Sequence, residues 1–483
     1  MKHPKSLTYI VLFLCLFVNV AHGQIKIPKV KVPKVNNPLK GSTDQGATDA
    51  DKGESKSEAS PNYSNKGRER YVSKSIGRGK LGTKEQPAKD LGNILHLLKP
   101  NDIIYIAEGE YLNKAERGAD EINVPVKIYA GYDDSFIERD PWGNHKTVFT
   151  GNNVYMTSSN ARLKIRTNQQ REANGQLSQG SEIMVDGIIF DNGPRNRYVD
   201  ENKYCIRRKA SPEKGENPSP RTAGLTIISS FNMKVTVRNC VIMNCAPSQG
   251  ALSVQIREGS NAVISNNLCV NNTGNGIQLM TAYHGSERSK IPRFEVYDNT
   301  CIFNWKFDVV ASYGGNAIAM DGNLFVNIHN NAFAFGHYGG VYSKGAILTL
   351  KDNLFTGNSQ YDLREASAMN VNEIEDESVN VTPESTGNIS KEVKFPVAKR
   401  WAEIYAQRVE ISRAEVDASA RASNNGSNQL TSMLGMPLQG NDVTLDADIF
   451  LPQMLIEEAL PLGKQKYESK YGCAIQQDYS TIH

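Results

Sequence analysis

The stretch Asn299-Thr300-Cys301-Ile302-Phe303-Asn304 contains a pattern that recurs along the middle of the chain. An Asn or Asp is followed two positions later by an apolar residue and, three positions after that, by Asn, Asp or Gly. Six copies share it: Asp186-Ile188-Asp191, Asn239-Val241-Asn244, Asn267-Cys269-Asn272, Asn299-Cys301-Asn304, Asn331-Phe333-Gly336 and Asn353-Phe355-Asn358. Their first residues are 53, 28, 32, 32 and 22 residues apart. Spacings of this size are typical of solenoids, in which each repeat forms one coil of a stack.

Each repeat has the features of three short strands separated by tight corners. An apolar residue such as Ile264 or Val296 precedes the pattern, and a third strand follows a Gly, as in Gly276-Ile277-Gln278-Leu279. Asn and Gly tolerate the left-handed backbone conformation that a corner requires. No 3.6-residue period occupies this region. The pattern therefore predicts an all-β fold, a right-handed single-stranded parallel β-helix, with corner Asn side chains bonded between coils about 4.8 Å apart.

The start of the coiled region has a second signature. The segment Gly82-Thr83-Lys84-Glu85-Gln86-Pro87 is followed by a short amphipathic helix containing Leu91, Ile94, Leu97 and Leu98, and then by the strand Asp102 to Tyr111. Over residues 71–365 the chain resembles the secreted right-handed parallel β-helix proteins of the pectate-lyase-like superfamily. The resemblance implies an N-terminal helical cap and a coil, but no single chemistry, since lyases, hydrolases, epimerases and adhesive spikes share this fold. The Gly-His-Gly and Arg-Ile-Lys motifs of the polygalacturonases are absent.

The predicted organisation has four parts. Residues 1–23, with a basic start and an apolar centre, predict a secretory signal peptide and hence a secreted protein (extracellular, periplasmic or on the cell surface). Residues 24–70 are predicted to be a flexible low-complexity linker, and residues 71–365 the β-helix. Residues 366–483 are predicted to form a mixed, α-containing C-terminal cap, with a helix from about 397 to 420, or a small accessory domain.

Charge and hydropathy limit the classes of partner that the sequence predicts. The net charge of +3 gives no nucleic-acid signal, and no stretch beyond residue 23 is long and apolar enough to span a membrane. The predicted partner is a polysaccharide or cell-envelope glycan, and the protein is predicted to be a monomer. Cys269 and Cys301 occupy the same inward position in adjacent coils and predict a buried stack rather than a disulfide. Cys205, Cys240, Cys245 and Cys473 could form bridges whose pairing the sequence does not define.

Two insertions at corners could frame a substrate. Residues 192–223 carry eight bases and four acids, and residues 281–293 combine aromatic and basic side chains. A uronate lyase needs a base at the carbon next to the carboxylate and a cation to stabilise the enolate. The predicted catalytic residues are Tyr283, His284, Arg288 and Lys290, and the predicted substrate-binding residues are Arg293, Gln278, His337, Tyr342 and Lys344. No metal site is identified; calcium could replace the cation, although no ligand set for it is recognisable.

Two functions remain open from the sequence. The first is a polysaccharide-directed β-helix protein that cleaves acidic (uronate) glycans by β-elimination. The second is a non-catalytic surface or matrix protein that binds glycans or acts as a spacer. The first is the leading hypothesis and the second is the alternative. Exposed loops are commonly basic, and a His or Tyr at a corner commonly packs or forms local hydrogen bonds, which weighs against a catalytic role for the residues of the 281–293 loop.

Overall fold

The computed structural model describes residues 67–112, 119–150, 160–167, 181–192, 222–245, 247, 249–305, 314–366, 373–376, 385–410 and 453–474. All of them belong to one unit of the chain, residues 64–483. The predicted signal peptide, nearly all of the predicted linker and of the basic insertion, Cys205, and residues 411–420 of the predicted helix lie outside the described residues.

Each coil contributes one strand to each of three sheets, and the strands are numbered here in chain order. The first sheet consists, in spatial order, of β1 (Glu69–Val72), β2 (Ile103–Ala107), β5 (Lys127–Tyr132), β8 (Glu182–Asp186), β11 (Lys234–Arg238), β14 (Asn261–Ser265), β17 (Arg293–Tyr297), β20 (Phe325–His329) and β23 (Ile347–Lys351). The second consists of β3 (Gly109–Tyr111), β6 (Thr147–Phe149), β9 (Ile188–Asp191), β12 (Val241–Met243), β15 (Leu268–Thr273), β18 (Thr300–Trp305), β21 (Ala332–Ala334), β24 (Leu354–Thr356) and β27 (Ile389–Ser390). The third consists of β4 (Asp120–Ile122), β7 (Asn160–Arg166), β10 (Thr222–Ile228), β13 (Gly250–Ile256), β16 (Asn275–Thr281), β19 (Asn316–Asp321), β22 (Gly339–Lys344), β25 (Tyr361–Ala366) and β26 (Glu373–Asp376).

Short helices complete the described part of the chain. The helical region predicted at the N-terminal end consists of two 3-10 helices, Leu91–Asn93 and Leu95–Leu97. A third 3-10 helix is Arg288–Lys290. Near the C-terminus, α1 covers residues 399–410 and α2 covers Ile456–Gly463. None of the helices in the described ranges combines the length and apolar character needed to cross a bilayer.

Inward-facing apolar residues stack in register from coil to coil. On the third sheet Leu252, Ile277, Ile318 and Val341 are successive partners, and all four are fully buried. Burial of one such side chain stabilises the folded state by about 1.5 to 3 kcal/mol, and each coil can bury its apolar face only against its neighbours. The parallel pairing of β1 to β25 confirms the predicted all-β, single-stranded parallel β-helix.

The predicted column of asparagines is present at the corner between the first and second sheets. Asn267, Asn299, Asn331, Asn353 and Asn388 form a continuous ladder in which each Nδ2 donates to the next Oδ1 at 2.9–3.0 Å. The same Oδ1 atoms also accept from the backbone N–H of the preceding ladder residue at 2.9–3.0 Å. All five side chains are buried, so the ladder satisfies polar groups that water cannot reach.

The first two copies of the sequence pattern were placed in the wrong register. Strand pairing aligns Ile242, not Val241, with Cys269. It likewise aligns Phe190, not Ile188, with Ile242. At this corner the inward position is therefore held by Ile242 rather than Val241 in the second copy. In the first copy it is held by Phe190 rather than Ile188.

The cause of this error is that Asn is favoured at two adjacent corner positions. Asn239 has a φ of 53°, which matches Asn266, also at 53°, in the left-handed position just before the ladder. Cys240 occupies the ladder position itself, and its backbone N–H donates to Oδ1 of Asn267 at 3.0 Å. A pattern of residue types cannot distinguish the left-handed Asn from the ladder Asn.

The C-terminal residues pack along the outside of the second sheet. Trp401 and Tyr405 of α1 lie beside the Phe303 ring, with centroids 6.1 Å apart in both cases. The backbone N–H of Cys473 donates to Oγ1 of Thr300 at 3.0 Å. On the third sheet the parallel order ends at β26, which pairs antiparallel with β25. The second sheet is thus covered by protein, whereas the third sheet contains the cavity described below.

Five cysteines in the described residues are buried free thiols: Cys240, Cys245, Cys269, Cys301 and Cys473. Cys269 and Cys301 are partners in register on β15 and β18. Burial raises the pKa of Cys240 and of Cys473 to about 12. These side chains therefore act as small apolar residues of the interior rather than as nucleophiles.

Candidate functional site

A cavity of about 250 Å³ lies on the outer face of the third sheet. Strands β16, β19 and β22, the corners before them and Gln249 at the corner before β13 provide its lining. Four amide side chains contribute to its wall: Gln249, Asn275, Gln278 and Asn316. The other polar groups of the lining are two tyrosines, one aspartate and one lysine.

A small residue between two large ones produces the hollow. Gln278 pairs with Ala319, and Ala319 pairs with Tyr342, so the three form one outward column across neighbouring strands. Strands in a sheet are about 4.8 Å apart, which places the backbones of Gln278 and Tyr342 about 10 Å apart. The methyl group of Ala319 leaves the space between the amide and the phenol ring empty.

The next outward column supplies the charged groups of the cavity. Met280 pairs with Asp321, and Asp321 pairs with Lys344. Asp321 and Lys344 are both exposed and both line the cavity. The site therefore offers one carboxylate acceptor and one ammonium donor beside an aromatic ring.

The amides form a directional chain of hydrogen bonds. Tyr361 donates its hydroxyl to Oδ1 of Asn316 at 2.6 Å, and Nδ2 of Asn316 donates to Oδ1 of Asn275 at 3.0 Å. Nδ2 of Asn275 then donates to Oε1 of Gln278 at 2.8 Å. All four residues are at most 8% exposed. In such surroundings hydrogen bonds are strengthened by the low local dielectric, and the side chains are held in place.

A second group holds Tyr338, which also lines the cavity. The Arg364 guanidinium lies over the Tyr338 and Tyr361 rings, 5.2 Å and 4.3 Å from their centroids. Its Nη1 donates to the Tyr338 hydroxyl at 2.6 Å. Cation–π contacts of a buried arginine fix both rings, so this side of the cavity is rigid.

The 281–293 loop lies at the corner between the third and first sheets, because it connects β16 to β17. The Tyr283 hydroxyl accepts from the backbone N–H of Glu287 at 3.1 Å and donates to the Glu287 carbonyl at 3.3 Å. Its ring is buried. These contacts hold the loop together, and they occupy the hydroxyl that was predicted to act as a base.

The two arginines of the loop contact the first sheet, and its lysine contacts the loop itself. Arg288 and Arg293 lie over the Phe325 ring, at 5.3 Å and 4.5 Å from its centroid. Lys290 pairs with Glu287 at 2.6 Å on the surface. Its hydrogen bond to Glu287 raises the pKa of Lys290 above its usual value, so this lysine is less suited to accept a proton at neutral pH.

The two predicted histidines lie in different surroundings. His284 is exposed at the tip of the loop. His337 is fully buried, with its ring 6.0 Å from that of Trp305 and its backbone N–H bonded to the Asn304 carbonyl at 2.8 Å.

The structure thus brings together three of the nine predicted site residues. Gln278, Tyr342 and Lys344 line the cavity. Among the lining residues that the structure describes, none comes from the 281–293 loop, and His337 is not among them either. The catalytic roles predicted for the loop stay a prediction.

Several cavity residues were missed in the sequence. Ala319, the outward partner of Gln278 on the next strand, was not among the predicted site residues. Asp321, two positions after Ala319 and on the same face of the strand, was not among them either. Asn275 could have been found, because it immediately precedes the Gly that begins the predicted strand.

The described residues contain no group of three or more His, Cys, Asp or Glu side chains arranged to hold a metal ion. Asp321 is accompanied in the cavity lining by amides and tyrosines. The described residues therefore provide no recognisable ligand set for calcium.

The comparison with known families agrees with the fold. Residues 217–379 match the family model described as "Right handed beta helix region". The chain is a right-handed parallel β-helix protein. The description of that family names a fold and no reaction, and no curated protein sequence matches the chain.

One solved structure with some likeness to this β-helix protein is that of GH136 lacto-N-biosidase from Eubacterium ramulus, in a selenomethionine derivative. The two sequences are 9% identical, the match covers 67% of each chain, and the TM-score is 0.25. So distant a likeness says nothing about the function of this chain.

Proposed function

We propose that this protein is exported and binds a polysaccharide segment in the cavity on its third sheet. The observation that carries the proposal is the column Gln278–Ala319–Tyr342, which places an amide and an aromatic ring on opposite sides of a hollow. A sugar ring has an apolar face that an aromatic ring can cover, and hydroxyl groups that need both donors and acceptors. Asp321 and Lys344 add one group of each kind.

The composition of the cavity favours binding over catalysis. Amides and tyrosines dominate the polar part of the lining, and Asp321 and Lys344 are its only Asp, Glu, Lys, Arg or His side chains among the described lining residues. Ligand sites are commonly concave and hold a few well-placed polar groups. A general acid–base pair would in addition need groups with shifted pKa values close to the reacting atoms. Glycan binding is therefore the function that this geometry supports best.

The second candidate is cleavage of an acidic glycan by β-elimination at the same cavity. The observation that favours it is the presence of Lys344 in the column next to Tyr342. In this reaction a base removes the proton next to the uronate carboxylate, and a cation stabilises the enolate. The glycosidic C–O bond then breaks, leaving a double bond in one sugar and a hydroxyl on the other after protonation. Lys344 would supply the cation, and the base would come from Tyr342, which lines the same cavity.

Calorimetric titration with a panel of soluble polysaccharides tests the binding proposal. We expect Tyr342→Ala to weaken binding of the best ligand about tenfold, because the ring covering the sugar face is removed. Tyr297→Ala is the matched control, since Tyr297 is a half-buried tyrosine that stacks on His329 at 5.0 Å on the first sheet. Equal losses in both variants would contradict the placement of the site.

Ultraviolet absorbance of unsaturated sugar ends distinguishes a lyase from a binding protein. If uronate polymers yield such ends, Lys344→Ala is expected to abolish the signal, and the double variant Arg288→Ala, Lys290→Ala to preserve it. If instead the double variant abolished the signal and Lys344→Ala preserved it, the active site would lie at the 281–293 loop. Binding without any product would establish the non-catalytic function.

A further inference from the structure

The amide chain beside the cavity has one fixed direction, and a backbone group sets it. The backbone N–H of Asn316 faces Oδ1 of Asn275 at 3.3 Å. A backbone N–H can only donate, so the atom opposite it must be the oxygen of the Asn275 amide. The Nδ2 of Asn275 is consequently turned toward Gln278.

The orientation of the Asn275 amide also fixes the orientation of the Gln278 amide. Since Nδ2 of Asn275 can only donate, Gln278 must present its oxygen to it, as the 2.8 Å contact shows. A reversed Gln278 would place two amino groups against each other and lose a buried hydrogen bond. The Nε2 of Gln278, with its two hydrogens, is therefore the end of the chain. No described residue accepts a hydrogen bond from it.

We infer that Gln278 is the specificity-determining residue of the cavity, and that its Nε2 donates to the carboxylate of a uronic acid unit in the bound polysaccharide. Gln278 lines the cavity directly. The next outward column adds the Asp321 carboxylate and, on the far strand, the Lys344 ammonium group. A carboxylate is an acceptor-only group, so it matches a donor that cannot rotate into an acceptor, and at the far strand it can pair with the Lys344 ammonium group.

The inference rests on the proposed function, and its test separates the two. The ligands are a polyuronate and the same polymer after chemical reduction of its carboxyl groups, with a neutral N-acetylated oligosaccharide as a third ligand that offers a carbonyl acceptor without charge. Gln278→Glu keeps an oxygen for Asn275 and replaces the amino group by a second oxygen. We expect the purified protein to prefer the unreduced polymer, and this variant to weaken its binding about tenfold.

A matched control uses the same change on the same sheet. Gln255 is a half-buried outward residue of β13 that pairs with Met280 and does not line the cavity. Gln255→Glu therefore adds the same charge, and we expect it to alter binding less than about twofold if the amide direction and not net charge decides specificity. Circular dichroism melting of each variant confirms folding.

A second variant reverses the amide without changing Gln278. In Asn275→Asp the second carboxylate oxygen would accept from Nε2 of Gln278, so that the Gln278 oxygen would turn toward the cavity. We expect the same loss of preference for the unreduced polymer as in Gln278→Glu.

The outcomes differ for the two ideas. If the unmodified protein binds none of the polymers, the proposed function fails and the inference fails with it. If Tyr342→Ala weakens binding while both amide variants keep the original preference, glycan binding stands and the role of Gln278 is refuted. Stronger binding of the reduced polymer or of the N-acetylated ligand would overturn the carboxylate assignment alone.

Discussion

Replacement of Asn299 by alanine tests whether the corner ladder holds the coils together. The Asn299 Nδ2 donates to the carbonyls of Ile264 and Tyr297 at 2.8 Å and 2.9 Å and to the next ladder amide at 2.9 Å. Its Oδ1 accepts from the backbone and side chain of Asn267 at 3.0 Å and 2.9 Å. Alanine removes all five contacts in a site with no exposure to solvent.

The magnitude follows from the groups left without partners. The backbone N–H of Asn267 loses its acceptor, and the Ile264 carbonyl loses a donor. A buried polar group left unsatisfied costs about 1 to 3 kcal/mol. Because the neighbouring amides can recover part of this by rearranging, we expect Asn299→Ala to lower the free energy of unfolding by about 3 to 4 kcal/mol. That is a large fraction of the roughly 5 to 15 kcal/mol typical of a folded domain.

Urea unfolding followed by far-ultraviolet circular dichroism measures this change as a shift in midpoint at constant slope. The matched control is Asn327→Ala on the exposed face of β20, where Asn327 donates to Glu295 at 2.8 Å. A solvated contact of this kind is worth less than about 1 kcal/mol. If the two variants lost similar amounts of stability, the reasoning that burial gives the ladder its strength would be refuted.

Three further predictions concern the cavity, the surface and the corner packing. Ala319→Leu should fill the hollow and weaken glycan binding about tenfold in calorimetry. Stability should change by less than about 1 kcal/mol, since the added atoms enter the cavity rather than the packed interior of the coil. Unchanged affinity would place the ligand elsewhere. Burial would raise the pKa of Glu182, but its hydrogen bonds to two lysines lower it overall. The ionised Glu182 therefore contributes its full stabilisation above the usual pKa of 4.5, and this contribution is lost as the pH falls through the lowered pKa of the folded state. Glu182→Gln should reduce the free energy of unfolding by about 0.5 kcal/mol at pH 7 and make it less dependent on pH on the acid side. Gly276→Ala would place a Cβ 2.7 Å from the Ala317 carbonyl oxygen, and a loss of about 2 kcal/mol in unfolding experiments is expected from this overpacking.

The sequence was sufficient to predict the positions of a coil wherever each residue type was favoured at one position only. From Asn267 to Asn353 the ladder residue, the inward apolar residue and the second corner keep a constant spacing, and the structure follows it. Where two positions favour the same residue type, the sequence was ambiguous. Asn is favoured both at a left-handed corner and in a ladder, and only the pairing of β12 with β15 shows which of the two positions Asn239 occupies.

For the site, three of the predicted substrate-binding residues, Gln278, Tyr342 and Lys344, line the cavity. The sequence could not place Ala319, because the insertion after β18 changes the number of residues before the next strand of the third sheet begins. Nor could it show that the arginines of the 281–293 loop lie over Phe325. Loop side chains have no periodicity that fixes their direction.

The amino-acid sequence by itself determined that the chain winds into a parallel β-helix, since repeated apolar and corner residues impose the same geometry on every coil. Only the tertiary structure decided which outward side chains meet across neighbouring coils. Gln278, Ala319 and Tyr342 are far apart along the chain, and their contact depends on strand register, which is set by the whole stack of coils and not by any local stretch.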